Sequence, residues 1–203
     1  MRSLSEIDTI SKRAVRAKGF SWGASEEIGK SVKLLELFGL PGLKNLNQYL
    51  KIYDQNKFQK TKLISESNVS EKNYLCPISL GISFLDQINT LNKYNSIEFN
   101  KVAYPILFLS FASRGSEVLG KKILISCDEK EFILNFNQSI FGNYYKNEIW
   151  ENANIVNIKF LKNYNSFNEI EWQEMTSFAS ETFVEESDEL KEKSAGAGLT
   201  DND

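Results

Sequence analysis

Pro105-Ile106-Leu107-Phe108-Leu109-Ser110-Phe111-Ala112 contains the longest apolar run of the chain, Ile106–Leu109. The architecture turns on what this stretch forms. It is apolar and rich in residues that favour extended backbone, which predicts a buried strand. Ser113-Arg114-Gly115-Ser116, with two hydroxyls and a glycine, then reads as a turn. Downstream, Lys121–Cys127 and Glu131–Phe136 flank Asp128-Glu129-Lys130 and predict a hairpin. Val156, Ile158 and Phe160 alternate with Asn157 and Lys159, the pattern of a half-buried strand. Four such segments in succession predict a mostly antiparallel sheet with helices on one face, an α+β fold.

Upstream of that stretch the period changes from strand to helix. Ser3 and Glu6 form a capping-box pattern ahead of a stripe at Ile7, Ile10, Ala14 and Ala17, which Gly19 ends. Ser21 caps a second helix whose apolar face holds Ala24, Ile28, Val32, Leu35 and Phe38, with Gly39 and Pro41 closing it. The short connection predicts an antiparallel helical hairpin, followed by a third helix through Leu43, Leu46 and Leu50. Residues 54–73 are polar and aperiodic, as in a loop. Pro77 opens a further helix with a stripe at Ile78, Ile82, Leu85 and Ile88, and Ser79, Gly81 and Ser83 allow close backbone approach. A last helix is expected from Ser166, with Glu169 completing a capping box and Trp172, Met175, Ala179 and Phe183 on one side. Residues 1–193 thus read as one α+β domain, and 194–203 as a Gly/Ala-rich acidic tail.

Composition narrows function by exclusion. The net charge of −3 is the wrong sign for a domain that grips phosphate backbones, so nucleic acid is not the expected partner. No apolar run approaches the length of a membrane span, and the amino terminus shows no secretory pattern. Two cysteines, Cys76 and Cys127, do not make a disulfide scaffold, and a cytoplasmic protein is expected. There is no histidine. Ser-His-Asp and Cys-His catalysis are therefore excluded, as are zinc sites that need imidazole, and no metal is expected. Carboxylates, lysine, tyrosine or cysteine would have to carry any chemistry.

The candidate residues follow from that filter. Glu26 and Glu27 lie beside Trp22 near a helix amino terminus, where paired carboxylates can hold a cation or a shifted proton and act catalytically. The same acids also complement the helix dipole, and Glu26 with Lys30 would make an ordinary surface pair. Only four of the 24 basic residues are arginine. Arg13, Arg16 and Arg114 are candidates for binding a carboxylate or phosphate through the planar guanidinium, or for structural ion pairs. Cys76 precedes Pro77 at a helix start, where a thiolate is stabilised, although a buried structural cysteine is the commoner outcome. The tail concentrates Asp201, Asp203 and the terminal carboxylate, as a ligand-closing segment or a solvated end.

The ordered set Ser21-Trp22-Gly23, Glu26-Glu27-x-Gly29, Gly39-Leu40-Pro41-Gly42, Cys76-Pro77 with Gly81 and Asp86, Pro105, and Gly196–Asp203 resembles a bacterial family. This is the domain of unknown function thirty-seven twenty-six, and the likeness runs over essentially the whole chain. The resemblance implies no activity, cofactor or catalytic residue. It does imply that the tail is part of the protein's design. Two functions are expected from different classes. One is a small-molecule site where the helical hairpin meets the sheet, using Glu26, Glu27 and Arg16, walled by Trp22, closed by the tail and suited to a small anion. The other is an accessory protein without chemistry of its own, whose acidic tail docks into a protein partner. Cofactor, oligomeric state and enzymatic character stay open.

Overall fold

Every residue from Ile106 to Ser116 except Arg114 is buried, and the segment is a helix, not a strand. In the computed structural model, which describes residues 2–54, 56–71, 73–143 and 148–182, α5 spans Ile106–Leu119. A helix enclosed on all sides is apolar on all sides, so its sequence loses the amphipathic period and resembles a buried strand. The expected turn at Ser113–Ser116 is likewise the continuation of α5, which stops at Gly120 with φ +59°. Ser116 secures that end: its Oγ lies 2.6 Å from Lys121 O and 3.0 Å from Leu134 O, and accepts from Phe136 N at 3.0 Å.

The chain divides into two compact units, Met1–Asn163 and Tyr164–Asp203. In the first, a six-stranded sheet runs in the order β1-β2-β6-β3-β4-β5. Its strands are β1 (Ser67–Asn68), β2 (Ser96–Ala103), β3 (Ile123–Cys127), β4 (Lys130–Asn135), β5 (Ser139–Gly142) and β6 (Asn152–Phe160). All ladders are antiparallel except β1 with β2. The expected hairpin is β3–β4, with Cys127 opposite Lys130. The half-buried strand is β6, and the fold is α+β. β2 fills the place assigned to the strand at 105–112, pairing with β6 from Ser96↔Lys159 to Ala103↔Asn152. Ile97, Phe99, Ile123, Ile125, Phe132, Leu134, Val156 and Ile158 supply the buried positions of the strands.

The helices α1 (Leu4–Ala17), α2 (Trp22–Leu37) and α4 (Pro77–Leu91) begin where their caps predict, and α3 (Gly42–Ile52) follows Pro41 without a side-chain cap. Ser3 and Glu6 complete the capping box on α1, Ser21 accepts from Ala24 N, and Pro77 occupies the first turn of α4. One stripe differs. Ile10 is 59% exposed, and Ser11 and Val15 are the buried positions of α1. Gly29 of α2 lets the two helices lie close, since a Cβ there would meet Asp8 and Lys12. The polar stretch after α3 is pinned to α4, since Ser79 Oγ accepts from Thr61 N at 3.1 Å and Ser83 Oγ donates to Thr61 O at 2.8 Å. Asn45, fully buried on α3, donates to Pro41 O (2.8 Å) and Glu148 O (3.1 Å) and accepts from Trp150 N (2.8 Å). It ties α3 to the segment that leads into β6, an interior strand of the sheet.

In the second unit α6 spans Glu169–Ser180. Its cap is Asn168 with Glu171, two residues beyond the expected Ser166 and Glu169. Asparagine at the N-cap is as effective as serine, and Phe167 stacks on Trp172 at 5.4 Å. Phe183, the charged run and the tail lie outside the described residues. Among those described, no helix is long and apolar enough to cross a membrane.

Gly81 allows α4 to press on the buried Phe111 ring of α5, and a Cβ at position 81 would overlap that ring. Gly81→Ala is expected to destabilise the chain by about 1–3 kcal/mol through overpacking. Gly23→Ala, where a Cβ meets nothing within 4 Å, should change stability by no more than about 0.5 kcal/mol. Equal urea midpoints for the two variants would refute this packing account.

Candidate functional site

One face of α2 carries Glu27, Lys30, Lys33, Leu34 and Leu37 at spacings that bring side chains together along a helix. Glu27 is the turning point of that face. Its Oε2 lies 2.6 Å from Arg114 Nη1 on α5, and its Oε1 accepts from Lys30 Nζ at 2.9 Å. Both partners of the α2–α5 pair are largely covered, with side-chain exposures of 25% for Arg114 and 27% for Glu27. Burial alone would raise the Glu27 pKa. The hydrogen bond from Lys30, the close contact with Arg114 and both positive charges outweigh it and hold the carboxyl below the ordinary glutamate value.

Next to this pair lies a cleft of about 210 Å³, lined by Lys30, Lys33, Leu34, Leu37, Arg114 and Asn137. Asn137 sits between β4 and β5 with φ +60°. Its Oδ1 accepts from Ser113 Oγ at 3.2 Å, and its Nδ2 donates to no described residue. Lys33 is exposed and makes no ion pair among the described residues. The cleft therefore has three cations and an amide against one carboxylate, with two leucines beside them.

Of the candidate residues, the structure brings Glu27 and Arg114 together, at the junction of the helical hairpin with α5. Glu26 is exposed on the neighbouring face, and Lys30 pairs with Glu27 rather than with it. Arg16 donates to Phe20 O at 2.9 Å and stacks over the Trp22 ring at 5.3 Å, bracing the α1–α2 turn. Arg13 is exposed. None of Arg13, Arg16, Trp22 and Glu26 lines the cleft. Asp201 and Asp203 lie outside the described residues. Cys76 is buried, accepts from Ser79 N at 3.4 Å and shares a hydrogen bond with Tyr49 Oη at 3.0 Å. Both cysteines are free, and burial raises the Cys127 thiol far above its usual range.

Sequence reasoning missed Lys33, Leu34, Leu37 and Asn137 as members of a site. The α2 members share one helical face with Glu27, so spacing alone could have grouped them. Asn137 had no local signal, because its place depends on the β4–β5 connection. Among the described residues no group of three His, Cys, Asp or Glu is placed to hold a metal ion.

Residues 2–74 match the family described as Protein of unknown function (DUF3726). This is the family that the ordered motifs resemble, and the match takes in those up to Gly42, while Cys76-Pro77, Gly81, Asp86, Pro105 and the tail lie beyond it. The matched segment carries α1, α2, α3 and β1, and with them Glu27, Lys30 and Lys33. Arg114 and Asn137 lie beyond it. Comparison with curated proteins and with solved structures gives no match.

A larger open cavity of about 640 Å³ lies between α1 and the α2–α3 corner, wholly within the family-matched segment. Its wall is chiefly apolar, with Ile10, Ala14, Leu40, Leu43, Leu46 and Leu50. Its one carboxylate, Glu36, accepts from Leu43 N at 2.8 Å and so serves the start of α3. Charge and volume thus point to different places, and the charged cleft has the polar groups that recognition of a small ion needs.

The Glu27–Arg114 link gives a signed pH dependence. A carboxyl held below its unfolded value contributes stability that is complete above that value and lost as pH falls through the folded one. Glu27→Gln is expected to cost about 1 kcal/mol at neutral pH, and the difference should shrink as pH falls below about 4.5. Urea midpoints of both proteins from pH 6 to pH 3 test this. A gap that stays constant over that range contradicts it.

Proposed function

We propose that the chain binds a small anion in the cleft between α2, α5 and the β4–β5 turn. The observation that carries this is the convergence of Lys30, Lys33, Arg114 and the Asn137 amide on one concavity of about 210 Å³. Such a cavity concentrates positive potential, and the planar guanidinium offers paired donors to a carboxylate or phosphate. Glu27 meets Nη1 of Arg114, and a guanidinium carries further donors suited to a ligand. On this reading Glu27 is a positioning residue that sets the guanidinium and Lys30 in place, and the anion meets Lys33 and Arg114 directly. Arg16 and Trp22 serve the hairpin that presents α2.

A second reading, a module that docks a protein partner, is favoured by the cavity along α1. Ile10 and Leu43, 59% and 38% exposed, line both that cavity and an adjoining one that runs to Arg2. Together they form a groove beside two helices, suited to the apolar face of a partner's helix.

Thermal melting at fixed ionic strength, with chloride replaced stepwise by phosphate, sulfate or citrate, discriminates between the two. Anion binding to the folded state should raise the melting temperature along a saturating curve. The Lys30→Ala/Lys33→Ala double variant should lose that rise. A rise that survives in the double variant, or one that never saturates, sinks the anion reading.

A further inference from the structure

The balance of charge and the size of the same cleft restrict the ligand further. Three cations face one carboxylate, so the walls carry a surplus of two positive charges. Lys30 and Arg114 share Glu27, while Lys33 shares no carboxylate among the described residues. That surplus fits a compact dianion, in which both negative charges sit on one group. A volume of about 210 Å³ is below the roughly 300–1,000 Å³ of pockets for drug-sized ligands, which suits a small ligand. Leu34 and Leu37 lie on the same helical face as the lysines, and Leu37 is 58% exposed. Leucine beside clustered charge offers a surface on which an apolar group of the ligand can rest.

We infer that the cleft is a site for a small phosphate monoester with a short apolar substituent. The phosphoryl oxygens meet Arg114, Lys33 and the Asn137 amide, and the substituent lies against Leu34 and Leu37. This rests on the anion reading above and narrows it. A phosphate diester carries one charge and leaves a surplus positive charge uncompensated. A dicarboxylate spreads two charges along a chain that the leucines do not favour. A monoester is dianionic above its second pKa of about 6, so its binding should weaken as pH drops from 7.5 to 5.5. Glu27, held below the ordinary glutamate value, stays ionised across that interval.

Isothermal titration of the full chain with phenyl phosphate, inorganic phosphate, diethyl phosphate and succinate tests the assignment. Phenyl phosphate should bind about tenfold or more tighter than diethyl phosphate or succinate, a difference of about 1.4 kcal/mol. Lys33→Ala should weaken phenyl phosphate and inorganic phosphate alike. Leu37→Ser should weaken phenyl phosphate and leave inorganic phosphate unchanged. Both positions are exposed, and a matching thermal melt in the absence of anion shows that each variant folds. If diethyl phosphate or succinate binds as tightly as phenyl phosphate, the monoester assignment is overturned while an anion site stands. If none of the four binds, both fall together.

Discussion

Helix α5 is enclosed by protein from Ile106 to Ser116, and the other elements are arranged by the need to enclose it. Phe108 packs edge-on against Phe84 of α4 at 5.3 Å and against Phe99 of β2 at 5.9 Å. Gly81 brings α4 close enough to cover Phe111. A helix so apolar is stable only when every side is packed, because exposing even one large side chain forfeits about 1.5–3 kcal/mol of burial. The sheet, α4 and α2 are its walls. Arg114 is the exception on that helix, and the wall it meets supplies Glu27.

That dependence explains which parts of the molecule were legible in the sequence. Ser3 with Glu6, Ser21 and Pro77 act within one turn of backbone, so their local chemistry named the helix starts. The β3–β4 hairpin was equally local. The stretch 105–112 misled because burial on all sides erases the period that separates helix from strand, and favourable strand composition then carried the reading. Its misreading also turned Arg114 from a helical residue facing α2 into a turn residue. Ser166 and Glu169 failed differently: two overlapping capping patterns were present, and Asn168 with Glu171 took the start of α6.

The candidate site was half legible for a related reason. Glu27 and Arg114 stood out by residue type, one as a carboxylate in a histidine-free chain and the other as a rare arginine. Their meeting depends on α2 crossing α5, 87 positions apart in the numbering, which no local pattern encodes. Lys33 drew no notice because an exposed lysine in a lysine-rich chain is ordinary until a cavity wall gives it neighbours. The cleft also joins residues inside the family-matched segment to residues outside it, so neither half holds the site alone.

The Asn45 clasp has a consequence for the order of events during folding. Its partners Glu148 and Trp150 lie 103 and 105 positions along the chain. Contacts of such long sequence separation form late, because closing the intervening loop costs entropy before any contact repays it. As the chain leaves the ribosome, the first three helices emerge with Asn45 and Tyr49 lacking their cover. The helical half is therefore a waiting surface, sticky and incomplete, until residue 150 has been synthesised. A slow or stalled ribosome between positions 52 and 150 would prolong that interval, and the cost would appear as aggregation of the newborn chain rather than as weakness of the finished one.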